Sequence, residues 1–453
     1  MFDSMGSGLG NVGVFDGQFA GAVWRLPAGK RGAFLLGRLV DGPGRTSVRG
    51  LGIDRAGEMR ITRFLRNPKV TVAEMVRTAA ARTATRVAGL HILAVQDTTS
   101  LRDDGDGGSI NLHPMIALDA QQGALLGLIS AEVLVRDGQP NPTPLRKRRH
   151  TEKQSRRWVE AAHEAAKLLA AGAASVTMVA DREGDFYEDF ALRPAGVQVL
   201  VRAEQNRILS DGSKLFARVA AQPVLGRTAT ELPAAPGRAA RKISLDLRAC
   251  TVELRRPLRC AADRELLPQH LTLSVVEALE VDPPAGSKAA HWYLLTTHDV
   301  QNFADASRIV AHYRERWVIE QLFRTLKTRG FDIEALRITE TQPFATLCVA
   351  ALIAAIQVMQ MVRDRDGLAG RPLDDAFDPA DLPMLRAVNA SLEGKTERQK
   401  NPHPPGSLAY AAWICGRLGG WNCYYGKPGP IVTYNGLLQL RAIRRGWELR
   451  KLV

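Results

Sequence analysis

The sequence predicts an α/β fold, and three observations predict it. Two short, almost wholly apolar runs, "HILAV" and "SVTMVA", each have an aspartate at or just past their end, and each lies beside a stretch of strong helix formers. Buried strands alternating with helices have this pattern. Residues 197–300 are different: "QVLVRAEQN", "RKISLDLRACTVELRR", "HLTLSVVEALEV" and "HWYLLTTH" alternate apolar and polar residues between Pro, Gly and Ala breaks, so the section reads as β-rich. Finally, 453 residues exceed one ordinary core, so two or three domains are expected.

In chain order, the first 21 residues hold six glycines and little periodicity. They are expected to be disordered, or to precede the true start of the protein. "RITRFLRNPKV" places Arg60, Arg63, Arg66 and Lys69 three apart around Phe64 and Leu65, which fits a short helix with a basic face that stops at Asn67-Pro68. "VTVAEMVRTAAARTATRVAGL" is a helix with Thr71 as N-cap and Glu74 three residues later. The strand His91–Val95 leads to Asp97, and two further strand-like runs flank "QQGAL", a hairpin turn. "LRKRRHTEKQSRRWVEAAHEAAKLLAA" carries seven basic residues between Arg146 and Arg157 and then becomes a long helix. A second buried strand ends at Asp181, with a helix after it. "HYRERWVIEQLFRTLK", His312 to Lys327, has no Gly or Pro and reads as one helix. Its apolar arc is Val318, Ile319, Leu322, Phe323 and Leu326; Tyr313, Arg316, Glu320, Arg324 and Lys327 share another stripe. "TLCVAALIAAIQVMQMV" reads as a buried helix rather than a membrane span. Residues 366–405, rich in Pro, Gly and Asp, are the best linker candidate, and a helical tail follows.

A net charge of +14 favours a polyanionic partner, and nucleic acid fits better than an anionic membrane because no basic amphipathic anchor stands out. No secretory signal is seen at the N-terminus. The five cysteines form no CxxC pair and have no histidine cluster, so a zinc site is not expected and a reducing cytosol is. There is no phosphate loop and no dinucleotide fingerprint.

Asp97, Asp181 and Glu320 carry the chemistry. Two follow strands, where ligand sites of α/β sheets lie; the third sits on a helix among cations. They are 84 and 139 residues apart (181−97 and 320−181), so only folding can unite them. Two-metal phosphoryl transfer needs such shared carboxylates, and hard oxygen ligands select magnesium or manganese. Arg316, Arg324 and Lys327 beside them suit a phosphate backbone. Each residue has a plainer use as well. An aspartate after a strand also serves as a turn or helix cap, and the helical stripe also suits a solvated face laced with ion pairs. Glu183, Asp185, Asp103, Asp104 and Asp106 are expected to be surface acids.

Tyr313, Arg316, Glu320 and Lys327, spaced Tyr, two, Arg, three, Glu, six, Lys, reproduce the Y-R-E-K signature. On these residues the chain resembles the bacterial DDE transposases of the insertion sequence four family, the group that includes the transposon five transposase. "QDTTS" and "VADREGDFYEDF" resemble the family's blocks around its first two acids, "FLRNPKV" its segment before the catalytic domain, and "GSLAYAAWICGRLGGW" its C-terminal segment. The similarity runs from about residue 58 to about 440, with gaps. It implies a ribonuclease-H-like core with Asp97, Asp181 and Glu320 as catalytic ligands of two Mg²⁺ ions (Mn²⁺ as substitute). It also implies a β-rich insertion at about 197–300, within a catalytic domain at 71–365. An N-terminal DNA-binding region at 1–70 and a C-terminal linker and dimerisation segment at 366–453 would flank it. The implied activity is cut-and-paste transposition: 3′-end nicking, a hairpin intermediate and strand transfer.

By position, Tyr313, Arg316, Arg324 and Lys327 resemble contacts to phosphates near the cleaved end. Trp292 resembles a platform for a flipped base, and core packing is its plainer use. Arg202 resembles a basic residue beside that pocket, while Glu204 stands where the family has another basic residue. Arg63 and Arg66 are the N-terminal DNA-contact candidates. Residues 1–45 lack the basic helical segment of the family, with "KRGAFLLGRLV" a partial echo. Implied partners are double-stranded DNA (terminal inverted repeats and target) and a second copy in a homodimeric synaptic complex, with no membrane. The implied location is the bacterial cytoplasm, on the nucleoid when bound to DNA. A ribonuclease-H-like nuclease without strand transfer, and an inactive copy that only binds DNA, fit the same residues.

Overall fold

The computed structural model describes residues 27–41, 48–52, 54–103, 108–137, 142–232, 240–327, 331–336 and 338–450. The glycine-rich first 21 residues, Asp104 and Asp106 lie outside the described residues. The chain forms two compact units, each discontinuous in sequence: residues 1–83, 122–128 and 321–453, and residues 84–121 and 129–320.

The second unit holds most of the sheet. Its strands are β1 (His91–Gln96), β2 (Thr99–Asp103), β3 (Gly108–Asp119), β4 (Leu125–Asp137, which begins in the other unit), β5 (Ser175–Ala180), β6 (Val197–Arg202), β7 (Gly226–Leu232), β8 (Arg241–Arg255), β9 (His270–Val281) and β10 (His291–Thr296). Among the described residues they form one sheet in the order β2-β3-β1-β5-β6-β10-β9-β8-β7, with β4 also pairing with β3. β1, β5 and β6 run parallel; the other pairings with a described register are antiparallel. The β-rich reading of 197–300 agrees with these strands, and they extend the central sheet: β6 lies against β5 and β10 against β6. Ile92 to Val95 and Val176 to Ala180 are all buried, and the polar side chain among them, Thr177, is bonded to His298. Strands covered on both faces need such continuous apolar runs. β2 was not anticipated from the sequence; "TSLRD" has too few apolar residues to announce a strand, and it forms by pairing with β3 through a bulge between Ser100 and Arg102.

The helices in chain order are α1 (Pro27–Asp41), α2 (Val48–Gly52), α3 (Arg55–Leu65), α4 (Val72–Ala84), α5 (Arg156–Ala170), α6 (Tyr187–Ala191), α7 (Leu215–Ala220), α8 (Phe303–Arg314), α9 (Trp317–Lys327), α10 (Thr341–Arg363), α11 (Leu382–Leu392), α12 (Leu408–Leu418) and α13 (Pro430–Arg450). Within the first unit, α10 is the core: an 18-residue apolar window of it is entirely buried. It packs with α1, whose Leu35, Leu36 and Leu39 are buried, so "KRGAFLLGRLV" forms a helix despite being only a partial echo. In α3, Arg60, Arg63 and Arg66 at its end are exposed while Ile61, Phe64 and Leu65 are buried, the predicted division. The Thr71 hydroxyl accepts from Glu74 N at 3.2 Å, as its capping sequence predicts.

Two expectations are corrected. "HYRERWVIEQLFRTLK" is not one helix but the end of α8 and the whole of α9. They are joined at Glu315–Arg316 by a tightened turn in which Arg316 N reaches Tyr313 O at 3.1 Å and Val318 N reaches Glu315 O at 3.0 Å. These three-residue hydrogen bonds overwind the chain locally, which composition cannot reveal. Residues 366–405, read as a linker, are folded: Leu373, Ala376, Phe377, Met384 and Leu385 are buried, and α11 lies within the segment. Its aspartates and prolines make caps rather than slack. Asp378 accepts from Ala380 N at 2.9 Å, and Asp364, just before the segment, accepts from Ala369 N and Arg371 N within it at 3.2 Å.

Candidate active site

β1 and β5 are parallel neighbours with Val95 opposite Val179. Asp97 and Asp181 each lie two residues further on, so they leave the sheet side by side at its C-terminal end, where adjacent strands are about 4.8 Å apart. Asp97 is only 9% exposed. Its Oδ1 accepts from Thr98 N at 2.7 Å and its Oδ2 from Arg316 at 3.3 Å. Burial, then the charge of Asp181, pushes its carboxyl up to about 7 against the pull of Arg316. Asp181 is half-buried and caps the short 3₁₀ turn Arg182–Gly184, accepting from Glu183 N at 2.8 Å. The helix-cap use of this aspartate is therefore realised, and it occupies one oxygen. Gly184 lets the turn press onto the sheet: a Cβ there would sit 2.8 Å from the Ala180 Cβ and 3.4 Å from the Trp158 ring.

Glu320 reaches the same place from the helical side. Arg316, in the turn before α9, pairs with both Glu320 and Asp97 and links a helix acid to a strand acid. Burial pulls the Arg316 guanidinium down, but Tyr313, Glu320 and Asp97 outweigh it and hold its proton above the ordinary range. The ion-paired use of the stripe is thus also realised, at the acids rather than on a solvated face. Tyr313 is 6% exposed, its phenol pushed up by burial, with Arg316 and Arg202 pulling the other way. Trp292 on β10 is half-buried, its ring 5.9 Å from that of Tyr313 at 60°. Arg202, at the end of β6, donates to His291 O at 3.2 Å. Glu204 pairs with Arg182 at 3.3 Å.

A wall behind Asp97 went unread in the sequence. His113 on β3 contacts Gln96 Oε1 through Nε2 at 3.2 Å and the Thr98 hydroxyl through Nδ1 at 2.9 Å. Its ring lies edge-on to Trp158, with centroids 4.6 Å apart. Burial, then Arg157, pulls it down to about 3, so it is neutral at physiological pH. Arg157 donates to the same hydroxyl at 3.1 Å and lies 3.6 Å from Glu183. The wall fixes Thr98, whose N–H fixes Asp97. The one sequence signal was His113 itself, an ionisable residue inside a strand that is buried almost throughout.

Asp185 was expected at the surface and is corrected: it is 4% exposed and pairs with Arg207. It also accepts from Glu204 N at 2.7 Å and Gln205 N at 3.2 Å. A buried carboxylate survives by such pairing. Glu183 is exposed, as expected, and its carboxyl is raised by burial and by Asp181.

Arg324 is exposed one turn beyond Glu320 on α9; Lys327, two turns on, pairs with Glu334 at 3.0 Å. Arg66 pairs with Glu340, and Arg63 is exposed beside it on α3. Among the described residues no three acidic, histidine or cysteine side chains already converge as a metal cage. The Asp97–Asp181 pair nevertheless fits a hard divalent cation, since it presents oxygen acceptors, and the Asp97 carboxyl is raised by burial and then by the charge of Asp181, which a cation would offset. Glu320 is turned to Arg316 instead.

Residues 195–356, 162 of 453 (356−195+1), match the family model described as Transposase DDE domain. The matched span includes Trp292, Arg316 and Glu320, while Asp97 and Asp181 lie N-terminal to it, and the match supports a DDE transposase.

Proposed function

We propose that this chain is a cut-and-paste DNA transposase whose catalytic acids are Asp97, Asp181 and Glu320. The observation that carries this reading is Arg316, which ties Asp97 to Glu320 across 223 residues of sequence (320−97), with Asp181 beside Asp97. Two parallel strands ending in carboxylates within a mixed sheet support the ribonuclease-H-like core.

Asp97, Asp181 and Glu320 would hold two magnesium ions, with manganese as a substitute, and the ions would supply activation of water or a 3′-hydroxyl and stabilisation of the leaving oxygen. Arg316 keeps the buried acids compensated in the free protein and turns to a phosphate when DNA arrives. Arg324 and Lys327 continue the same helix and hold the backbone beyond it. Trp292, half-buried against Tyr313, offers a stacking face for an extruded base, with Arg202 near its phosphate. Arg63 and Arg66 belong to the N-terminal DNA-contact face. The sequence of steps is nicking at the transposon end, hairpin formation on the opposite strand, opening, and joining to target DNA. A homodimer across paired inverted repeats performs them in the bacterial cytoplasm. The functional segments remain those of the sequence: 1–70, 71–365 and 366–453.

Purified protein is incubated with magnesium and a fragment bearing the gene's own flanking inverted repeats, and the products are run on a denaturing gel. Nicks or hairpins at the repeat ends, absent in Glu320→Gln, are expected, and joints to target DNA separate a transposase from a nuclease. Independently of activity, magnesium raises the melting temperature of the wild type and not of Asp97→Asn. No cleavage with either metal, together with no metal-dependent shift, would sink the proposal.

A further inference from the structure

We propose that the lobe formed by residues 142–157 and 255–266 is a second docking surface, for the phosphate backbone of duplex DNA flanking the cleavage point. This rests on the transposase reading only in naming DNA as the occupant. Residues 142–157 carry seven cations (Arg146, Lys147, Arg148, Arg149, Lys153, Arg156, Arg157) against one acid, Glu152. The function proposed above uses none of them.

The lobe is built rather than draped. The turn at Leu145–Lys147 packs against the turn Leu258–Asp263, at the far end of the β8–β9 ribbon. His150 N donates to Asp263 Oδ2 at 2.8 Å, and the His150 ring meets the other oxygen at 3.3 Å. Lys153 is buried, donating to Glu188 at 2.8 Å and to Arg259 O at 3.4 Å. Glu152 spends its carboxylate on Arg149 N at 2.7 Å. Asp263 and Glu152 are thus turned onto the lobe's own scaffold, and Arg156 and Arg157 at its end pair with Glu132, Glu160 and Glu183, while Arg146, Lys147 and Arg149 are exposed, as are Arg255 and Arg264 on the facing segment. Burying ion pairs costs desolvation, and a run of cations kept for solubility needs no such scaffold. A surface that must hold several charges in register against a polyanion does.

Its place is equally informative. The lobe ends at Arg157, which touches Thr98, next to Asp97, and Glu183, two residues past Asp181. Its buried Lys153 holds Glu188, seven residues past Asp181 (188−181). The cations are therefore fixed to the two segments that follow the strand acids, at the end of the sheet where the acids emerge. Leu145 and Leu258, 55% and 92% exposed on the two touching turns, supply apolar surface of the kind that meets sugars and groove edges.

The test compares the full-length wild type with Arg146→Ala/Lys147→Ala/Arg149→Ala. Binding to a duplex oligonucleotide carrying the flanking repeat is measured by fluorescence anisotropy across a salt series. All three residues are exposed, and circular dichroism checks the fold. The expected result is a weaker affinity and a log K against log salt slope reduced by about 2.7, from about 0.9 per phosphate contact. Arg146→Lys/Arg149→Lys should keep the wild-type slope. An unchanged slope in the triple variant overturns the proposal, as does tighter lobe-dependent binding of duplex RNA. Cleavage is scored in parallel. If the wild type cuts and the slopes agree, the lobe falls and the transposase reading stands. If the slopes differ but nothing is ever cut and no metal-dependent shift is seen, the lobe stands and the transposase reading falls.

Discussion

"HILAVQDTTS" and "SVTMVADREGD" are near twins in sequence and are wired differently in the fold. Asp97 is sunk against a neutral wall of Gln96, Thr98 and His113 and faces a single cation, Arg316. Asp181 is half-buried, caps its own turn, and leads into a segment whose later acids are structural: Asp185 holds Arg207 and Glu188 holds Lys153. The first segment sinks one carboxylate beside one cation; the second spends acids on holding the loop. An aspartate after a strand is thus identified by its partners, not by its position.

Substitutions can break that contrast. The largest expected effect is on chemistry: Asp97→Asn, Asp181→Asn and Glu320→Gln each lower the cleavage rate by on the order of 10³-fold or more while leaving DNA binding largely intact. Single-turnover assays beside a binding titration check this. Loss of fold by circular dichroism in all three would make the acids structural. Next is Asp185→Ala, which strands Arg207 without its partner. Breaking a buried pair costs about 3–5 kcal/mol, read from urea unfolding. A cost equal to that of an exposed acid such as Glu164 would erase the contrast between buried and surface acids.

A smaller effect tests the wall. His113→Ala should weaken metal binding or activity about 10–100-fold, the range for residues that orient a ligand. The decisive readout is the metal titration of melting temperature; a uniform loss of stability with unaltered metal affinity would make His113 mere packing. The smallest effect concerns pH. The folded carboxyl of Asp97, at about 7, lies above its ordinary value of 3.8. Folding therefore favours its neutral form. Its contribution to stability is complete below pH 3.8 and is lost as pH rises to about 7. Metal-free wild type should lose more stability than Asp97→Asn across that window, and metal affinity should rise with pH through it. Parallel stability curves for the two proteins would show that Asp97 is not the group responsible.

Much of this was legible beforehand because it is local. Strands β1 and β5 follow from continuous apolar runs, the α4 cap from Thr71 and Glu74, and the basic face of α3 from its spacing. The three acids could be singled out one by one from their flanks. What failed was not written in propensity or composition. The break at Glu315–Arg316 is invisible to helix propensity, the segment 366–405 hides its folding behind Pro and Asp used as caps, and β2 exists because β3 is there to pair with it.

The sequence by itself determined the strand and helix types, the surplus of positive charge and the identity of the candidate acids, since propensity, periodicity and composition act over a few residues. The tertiary structure alone decided which acids meet. It seated Arg316 between Asp97 and Glu320, sank Asp185 with Arg207, and built both compact units from segments distant in the chain. Burial and charge pairing depend on what arrives from elsewhere in the sequence, and a linear pattern carries no record of that.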